Sequence, residues 1–259
     1  MKIKQRHIIL VLIALLFPGC ARSNHDTVYQ VSTIDALVQG LYDGQISIRD
    51  LKSHGDFGLG TFHALDGEMV FLDGRVYQVR SDGVACLADD RTTVPFAAVT
   101  YFSPDRTLAL PSVTNLAGLA GALDNALPTQ NIFYAVRVDG KFSYVKTRSV
   151  PRQQKPYPPL VEVAKSQPTF EFNNVSGTII GIRCPQFAKG LNVPAWHFHF
   201  ITENRSAGGH LLDVRFEGSE VQAQIDPTSE YHLVLPDSPE FYNLNTAQDL
   251  QADVKKVEK

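Results

Sequence analysis

The chain has 259 residues, 44% of them hydrophobic and 20% charged, which is an ordinary globular composition and enough chain to bury a core. A formal charge of −3 and a pI near 6.2 exclude the basic footprint of a nucleic-acid binder. Three cysteines are too few for a disulfide-built scaffold.

The first segment reads as a leader. Lys2, Lys4 and Arg6 precede an apolar run over 8–17, and Pro18-Gly19-Cys20-Ala21 follows. This is the order of a secretory signal, and the run is too short to span a bilayer. Cleavage after Ala21 is the expected route to an exported chain; cleavage before Cys20 would instead leave a lipid anchor, and Phe17 fits that route poorly. Removing 1–21 takes away three basic residues and no acidic ones, so the charge moves from −3 to −6 over 238 residues. Cys86 and Cys184 would then be the remaining cysteines, far apart in sequence.

Residues 32–44 read as a helix capped by Ser32 or Thr33 and stopped by Gly44. Ser47-Ile48-Arg49-Asp50 resembles a capping box opening a second, shorter helix. From Phe57 the pattern changes to short strands with Asp-Gly turns at 66–67, 73–74 and 82–83, strong hairpin signals. A strand over 93–102 and a helix over 115–127, stopped by Pro128, come next. A further hairpin, 132–138 with 141–149, is expected to turn at Asp139-Gly140.

Pro151, Pro156, Pro158 and Pro159 then mark a linker. Beyond it lie β-type segments at 175–183, 196–202, 210–217, 219–225 and 231–235, and a polar tail after Tyr242. The expected fold is α+β, with mostly antiparallel or mixed β-sheets in two sub-domains and a few flanking helices. The expected division is 1–21 leader, 22–150 α+β sub-domain and 151–259 β-rich sub-domain with its tail.

The chemistry-bearing residues concentrate in Trp196-His197-Phe198-His199-Phe200. On a strand, His197 and His199 share one face and the three aromatics share the other. A polar connection leads to His210 at the start of the next strand, where a hairpin can return it beside the first two. Three neutral imidazoles fill three positions of a tetrahedral metal site and leave the fourth open, the pattern of catalytic zinc. His25, His54, His63 and His232 have no such partners and read as surface or hydrogen-bonded residues. A rival reading takes His197, His199 and Glu203 as a cupin-type ligand set using iron or manganese. The glycines of that pattern are missing, since Leu191 and His210 stand in their places, and His232 lacks the second motif's setting. A metal- or ligand-binding envelope module without catalysis is a third reading.

Several motifs together resemble the acetolactate decarboxylase family. They are Gly58-Leu59-Gly60-Thr61-Phe62, Leu65-Asp66-Gly67-Glu68-Met69, Lys146-Thr147-Arg148, the two-histidine strand and Gly208-Gly209-His210. The resemblance covers nearly all of the chain after the leader. It implies a zinc-dependent, usually dimeric enzyme, in some members exported, that converts 2-acetolactate to acetoin and carbon dioxide. It also implies that His197, His199 and His210 hold the Zn2+ and that Thr61, Glu68, Arg148 and Glu258 supply the polar groups.

The chemistry of a β-keto acid explains such a set. Loss of carbon dioxide leaves an electron pair that spreads onto the ketone oxygen as an enediolate, and a Lewis-acidic metal stabilises it. Arg148 suits the carboxylate because its fork is planar and bidentate. Glu68 or Glu258 would return the proton, and Thr61 would hydrogen-bond a substrate oxygen or a metal-bound water.

Overall fold

The computed structural model describes residues 26–258. The expected leader, with Cys20 and Ala21, lies outside them, as does His25. Among the described residues no helix is long and apolar enough to cross a membrane.

Two sheets and a helical cap make up the molecule. The first sheet has seven strands: β1 (Thr27–Val31), β3 (Phe57–Thr61), β4 (Glu68–Leu72), β5 (Arg75–Val79), β6 (Ala85–Leu87), β8 (Phe96–Thr100) and β15 (Glu230–Val234). Their order is β15-β1-β8-β3-β4-β5-β6, antiparallel except for the parallel β1–β15 pair. The second sheet runs β11 (Thr169–Cys184), β12 (Ala195–Thr202), β13 (Gly208–Arg215), β10 (Phe133–Arg148), β14 (Val221–Thr228) and β9 (Arg106–Ala109). Because β10 also pairs with β11, strands β10 to β13 close into a ring. A small ladder of β2 (Ile46–Ser47) and β7 (Thr93–Val94) lies apart.

Alternation along the strands decides which face packs. Leu59, Val70 and Ala98 of the first sheet meet Ala135, Ile180, Ile182 and Ile201 of the second in one buried cluster. Trp196, Phe198 and Phe200 turn the other way, into a cluster with Phe142 and Phe216. His197 and His199, one residue out of phase with those aromatics, therefore face the first sheet.

The α+β class with antiparallel and mixed sheets stands. Several details differ from the sequence expectation. The first helix, α1 (Ile34–Val38), is capped by Thr33 and is shorter than 32–44, because the chain turns at Gly40 with φ +93°. The second, α2 (Ile48–Leu51), has the expected cap, Ser47 accepting from the Asp50 N–H. The third, α3 (Leu116–Ala126), is capped by Asn115. Asp73-Gly74 turns the β4–β5 hairpin with both φ values positive, as a type I′ turn requires.

Asp139-Gly140 does not turn. It lies inside β10, a strand of 16 residues, where both edges are paired. A Cβ on Gly140 would stand 2.3 Å from the Glu220 carbonyl oxygen, so this glycine permits a close strand approach and makes no bend.

Sheet membership does not follow the expected division at 150/151. β15 enters the first sheet from beyond the proline stretch, and β9 and β10 enter the second from before it. The proline stretch itself is docked: the Tyr42 hydroxyl donates to the Pro158 carbonyl, and Tyr42 packs on Tyr157. The end of the polar tail is also ordered, as a helix over residues Gln251–Glu258. With α4 (Leu160–Val163) and α5 (Pro239–Tyr242) coming before it, this helix is α6. Leu250, Val254 and Val257, spaced i, i+4 and i+7, bury against Leu37, Val38, Leu160 and Val163. Cys86 and Cys184 are both free thiols.

Candidate metal centre and active site

Five strands and the end of α6 meet at one point. Thr61 ends β3, Glu68 opens β4, and the two are cross-strand partners that share a face. They continue the inward rows Phe57-Leu59 and Val70-Leu72 beyond the apolar cluster. His197 and His199 come from β12, and His210 from β13, where it pairs with both His199 and Arg148. Beside this pairing the ladder is irregular: Lys146 opposes Asp213 and Thr147 opposes Leu211, leaving Leu212 as an extra residue. A bulge of this kind bends the strand and re-aims the side chains beside it.

The three histidines converge, each offering one ring nitrogen within 4.8 Å of the others. His197 Nε2 and His210 Nδ1 stand 3.1 Å apart. Nitrogens bound to one tetrahedral zinc at about 2.0–2.1 Å sit ~3.4 Å apart, so the spacing suits a shared ion. The His199 Nδ1–H donates to the Met69 carbonyl at 2.7 Å, which fixes the tautomer and leaves a lone pair on Nε2. That Nε2 is buried and has no hydrogen-bond partner. A site with such a donor set fits a metal ion.

Burial, reinforced by other positive or ring groups nearby, holds all three imidazoles neutral. It drives His197 and His210 well below the usual range and His199 down to about 3. Neutral imidazole is the form that ligates.

The acidic groups are poised differently. Glu68 Oε1 accepts from Arg148 Nη1 at 3.2 Å, and its Oε2 lies 3.6 Å from His199 Nε2. Glu258 Oε2 lies 3.2 Å from His197 Nε2, 3.6 Å from His210 Nδ1 and 3.9 Å from Arg148 Nη2. Burial pushes the Glu68 carboxyl up to about 7 and the Glu258 carboxyl up to about 8, in each case against the lowering pull of Arg148. With the imidazoles neutral, the carboxylate–histidine approaches are not ion pairs.

Arg148 is only 3% exposed. Its Nη2 donates to the Val257 carbonyl in a short hydrogen bond, its Nη1 donates to Gln167 Oε1 at 3.0 Å, and its Nε–H has no partner. The Thr61 hydroxyl donates to the Gly67 carbonyl at 2.7 Å, so toward the cavity it offers lone pairs.

All seven residues singled out from the sequence thus come together. The parts played by the Met69 and Val257 carbonyls and by Gln167 leave no mark in the sequence, and the sequence reading missed them. Glu203, the ligand required by the cupin reading, is exposed in the turn after β12, and His210 takes the third place in the cluster. The other described histidines stay outside: His63 Nδ1 accepts the Gly44 N–H, and His54 stacks on Tyr29.

Comparison with known proteins agrees with this geometry. The family described as alpha-acetolactate decarboxylase matches residues 28–248. Alpha-acetolactate decarboxylase of Methanosarcina mazei is 54% identical over 94% of this chain and 84% of its own length. That of Methylococcus capsulatus is 42% identical over 94% and 92%. The crystal structure of alpha-acetolactate decarboxylase from Bacillus subtilis strain 168 superposes with a TM-score of 0.86 at 40% identity, covering 90% of this chain and 99% of that one. The chain belongs to the alpha-acetolactate decarboxylase family.

Proposed function

We propose that this enzyme converts 2-acetolactate to acetoin and carbon dioxide with a zinc ion held by His197, His199 and His210. The observation that carries the reading is the buried, unpartnered Nε2 of His199 in a cluster with His197 and His210, beside a cavity lined by His197, Arg148, Glu68 and Glu258.

Zinc, when bound, supplies a Lewis acid for the electron pair released as carbon dioxide leaves. The chain's own residues do the rest. The unpartnered Nε–H of Arg148 receives the substrate carboxylate, and the guanidinium charge holds it in register. Glu68 and Glu258 draw on the same cation, which keeps that grip from becoming so tight that it stabilises the ground state as much as the transition state. One of the two carboxyls, both shifted into the neutral range, returns a proton to one face of the enediolate. Leu37, Leu65, Phe96 and Leu160 line the rest of the cavity and keep bulk water from the reacting carbon.

The test is metal analysis of the purified protein paired with an acetoin assay. About one zinc per chain, with activity lost on chelation and restored by zinc, is expected. Full activity in metal-free protein would overturn the mechanism. His210→Ala and Glu203→Ala separate this from a cupin-type site, because the first should lose the metal and the second keep it. The same reading has the protein exported on its leader and working as a homodimer, checked by the mature N-terminal residue and by mass in solution. Cleavage before a lipid-modified Cys20 would show in the same N-terminal measurement.

A further inference from the structure

We propose that Gln167 is a positioning residue for Arg148, one that holds the guanidinium in place with a neutral acceptor so that its charge stays available to the substrate carboxylate. The proposal rests on the reading of Arg148 given above.

Arginine is a donor only, so the group facing Arg148 Nη1 at 3.0 Å must be the amide oxygen of Gln167. Nη1 carries two hydrogens, and they are used by Gln167 Oε1 and Glu68 Oε1. Nη2 is held by the Val257 carbonyl. The fork is therefore fixed on both nitrogens, and the Nε–H is left as the buried donor without a partner. Rotation of the fork by even 10–20° would turn that Nε–H away from the substrate carboxylate.

Gln167 itself is held by its backbone. It precedes Pro168, which biases it to the extended form it adopts, φ −66° and ψ 133°. The Pro168 carbonyl then accepts the Ser149 N–H, and Thr169 is in register with Arg148. The residue is thus tied to the end of β10 independently of its amide.

The charge matters as much as the geometry. Arg148 already faces two carboxyls, Glu68 and Glu258. An anionic acceptor at position 167 would neutralise the cation that the substrate needs. A neutral amide orients the fork without that competition, whereas an apolar side chain would release Nη1 to swing toward the carboxyls.

The test uses the full-length enzyme with its metal and compares Gln167→Met, which keeps the shape and loses the acceptor, with Gln167→Glu, which keeps the acceptor and adds charge. Both should raise KM for 2-acetolactate, Gln167→Met about tenfold and Gln167→Glu more, while kcat changes by less than about threefold and metal content and Tm hold. Unchanged KM in folded Gln167→Met and Gln167→Glu would overturn the proposal. So would equal losses in Tm and kcat without a KM effect, which is what a merely structural residue would give. Arg148→Lys, which keeps the buried charge but loses the fork, is run alongside. If it raises KM and the Gln167 variants do not, the role of Gln167 alone fails; if it leaves KM unchanged, the reading of Arg148 fails and the proposal with it.

Discussion

Glu258, the penultimate residue, places its Oε2 3.2 Å from Nε2 of His197, a residue 61 positions earlier in the chain. A carboxylate next to the last residue of a chain is ordinarily a frayed surface group. Here it is 8% exposed, because Val254 one turn before it and Val257 beside it anchor the helix, and the Val257 carbonyl is bound by Arg148. The site is therefore complete only when α6 is docked.

Deleting residues 257–259 removes that carboxylate and the Val257 carbonyl together. We expect activity to fall by about 10²-fold or more, the size of a general acid's contribution, with the three-histidine metal content retained. Glu258→Gln, which leaves the helix docked, separates the acid from the anchor. If its acetoin formation matches wild type, Glu258 does not deliver the proton and Glu68 is left as the donor.

Much of this arrangement was readable locally. His197 and His199 at i and i+2 have to share a strand face, and Thr61 and Glu68 extend alternating apolar rows. The rest depended on pairings between distant segments, which no local pattern records. Gly140 makes room for the carbonyl of Glu220, 80 residues on and just before β14, so its Asp-Gly dipeptide mimicked a turn. The entry of β15 into the first sheet is a long-range parallel pairing. The 250, 254, 257 spacing was visible but thin, one apolar stripe of three residues in an octapeptide. Gln167 acts through a single hydrogen bond, and nothing in sequence marks that.

Gly209 links the fold to the histidine cluster. Its φ of +133° is a conformation that side chains rarely adopt, and a Cβ there would meet the Arg148 carbonyl oxygen at 2.3 Å. Gly209→Ala must push β13 from β10 where His210 opposes Arg148. The expected result is lost metal and lost activity. Gly74→Ala is the control: its φ is +72° with nothing within 4 Å, so it should cost about 1–2 kcal/mol of strain and leave metal content unchanged. Equal metal retention in the two variants would contradict this account.

Asp124 ties α3 to the second sheet. Its Oδ1 accepts from Arg183 Nε and from Trp196 Nε1, each at 2.8 Å. Arg183 is nearly buried, so Asp124→Ala strands a cation as well as an indole N–H. Removing one partner of a buried pair costs about 3–5 kcal/mol, discounted toward the lower figure because the Asp124 side chain is 28% exposed. At about 2–4 °C per kcal/mol for a chain of this size, thermal unfolding should drop by roughly 6–12 °C. Metal content at 25 °C should hold. A shift under about 2 °C would mean that Arg183 finds another acceptor.

Asp226 gives the fold a pH dependence of its own, outside the histidine cluster. Burial, helped by Asp105, Asp26 and Asp56 nearby, pushes its carboxyl up to about 7 despite the N–H it accepts from Ser103. The unfolded chain ionises near the ordinary value of 3.8. Between those two values the folded state holds a proton that the unfolded state has released, so stability falls as pH rises through that window and levels off above about 7. Asp226→Asn keeps an acceptor for the Ser103 N–H and abolishes the ionisation. It should therefore raise the melting temperature over wild type, with a larger gain at pH 8 than at pH 5. Differential scanning calorimetry of the two proteins at both pH values reads this directly, and a gain independent of pH would show that Asp226 ionises freely in the folded state.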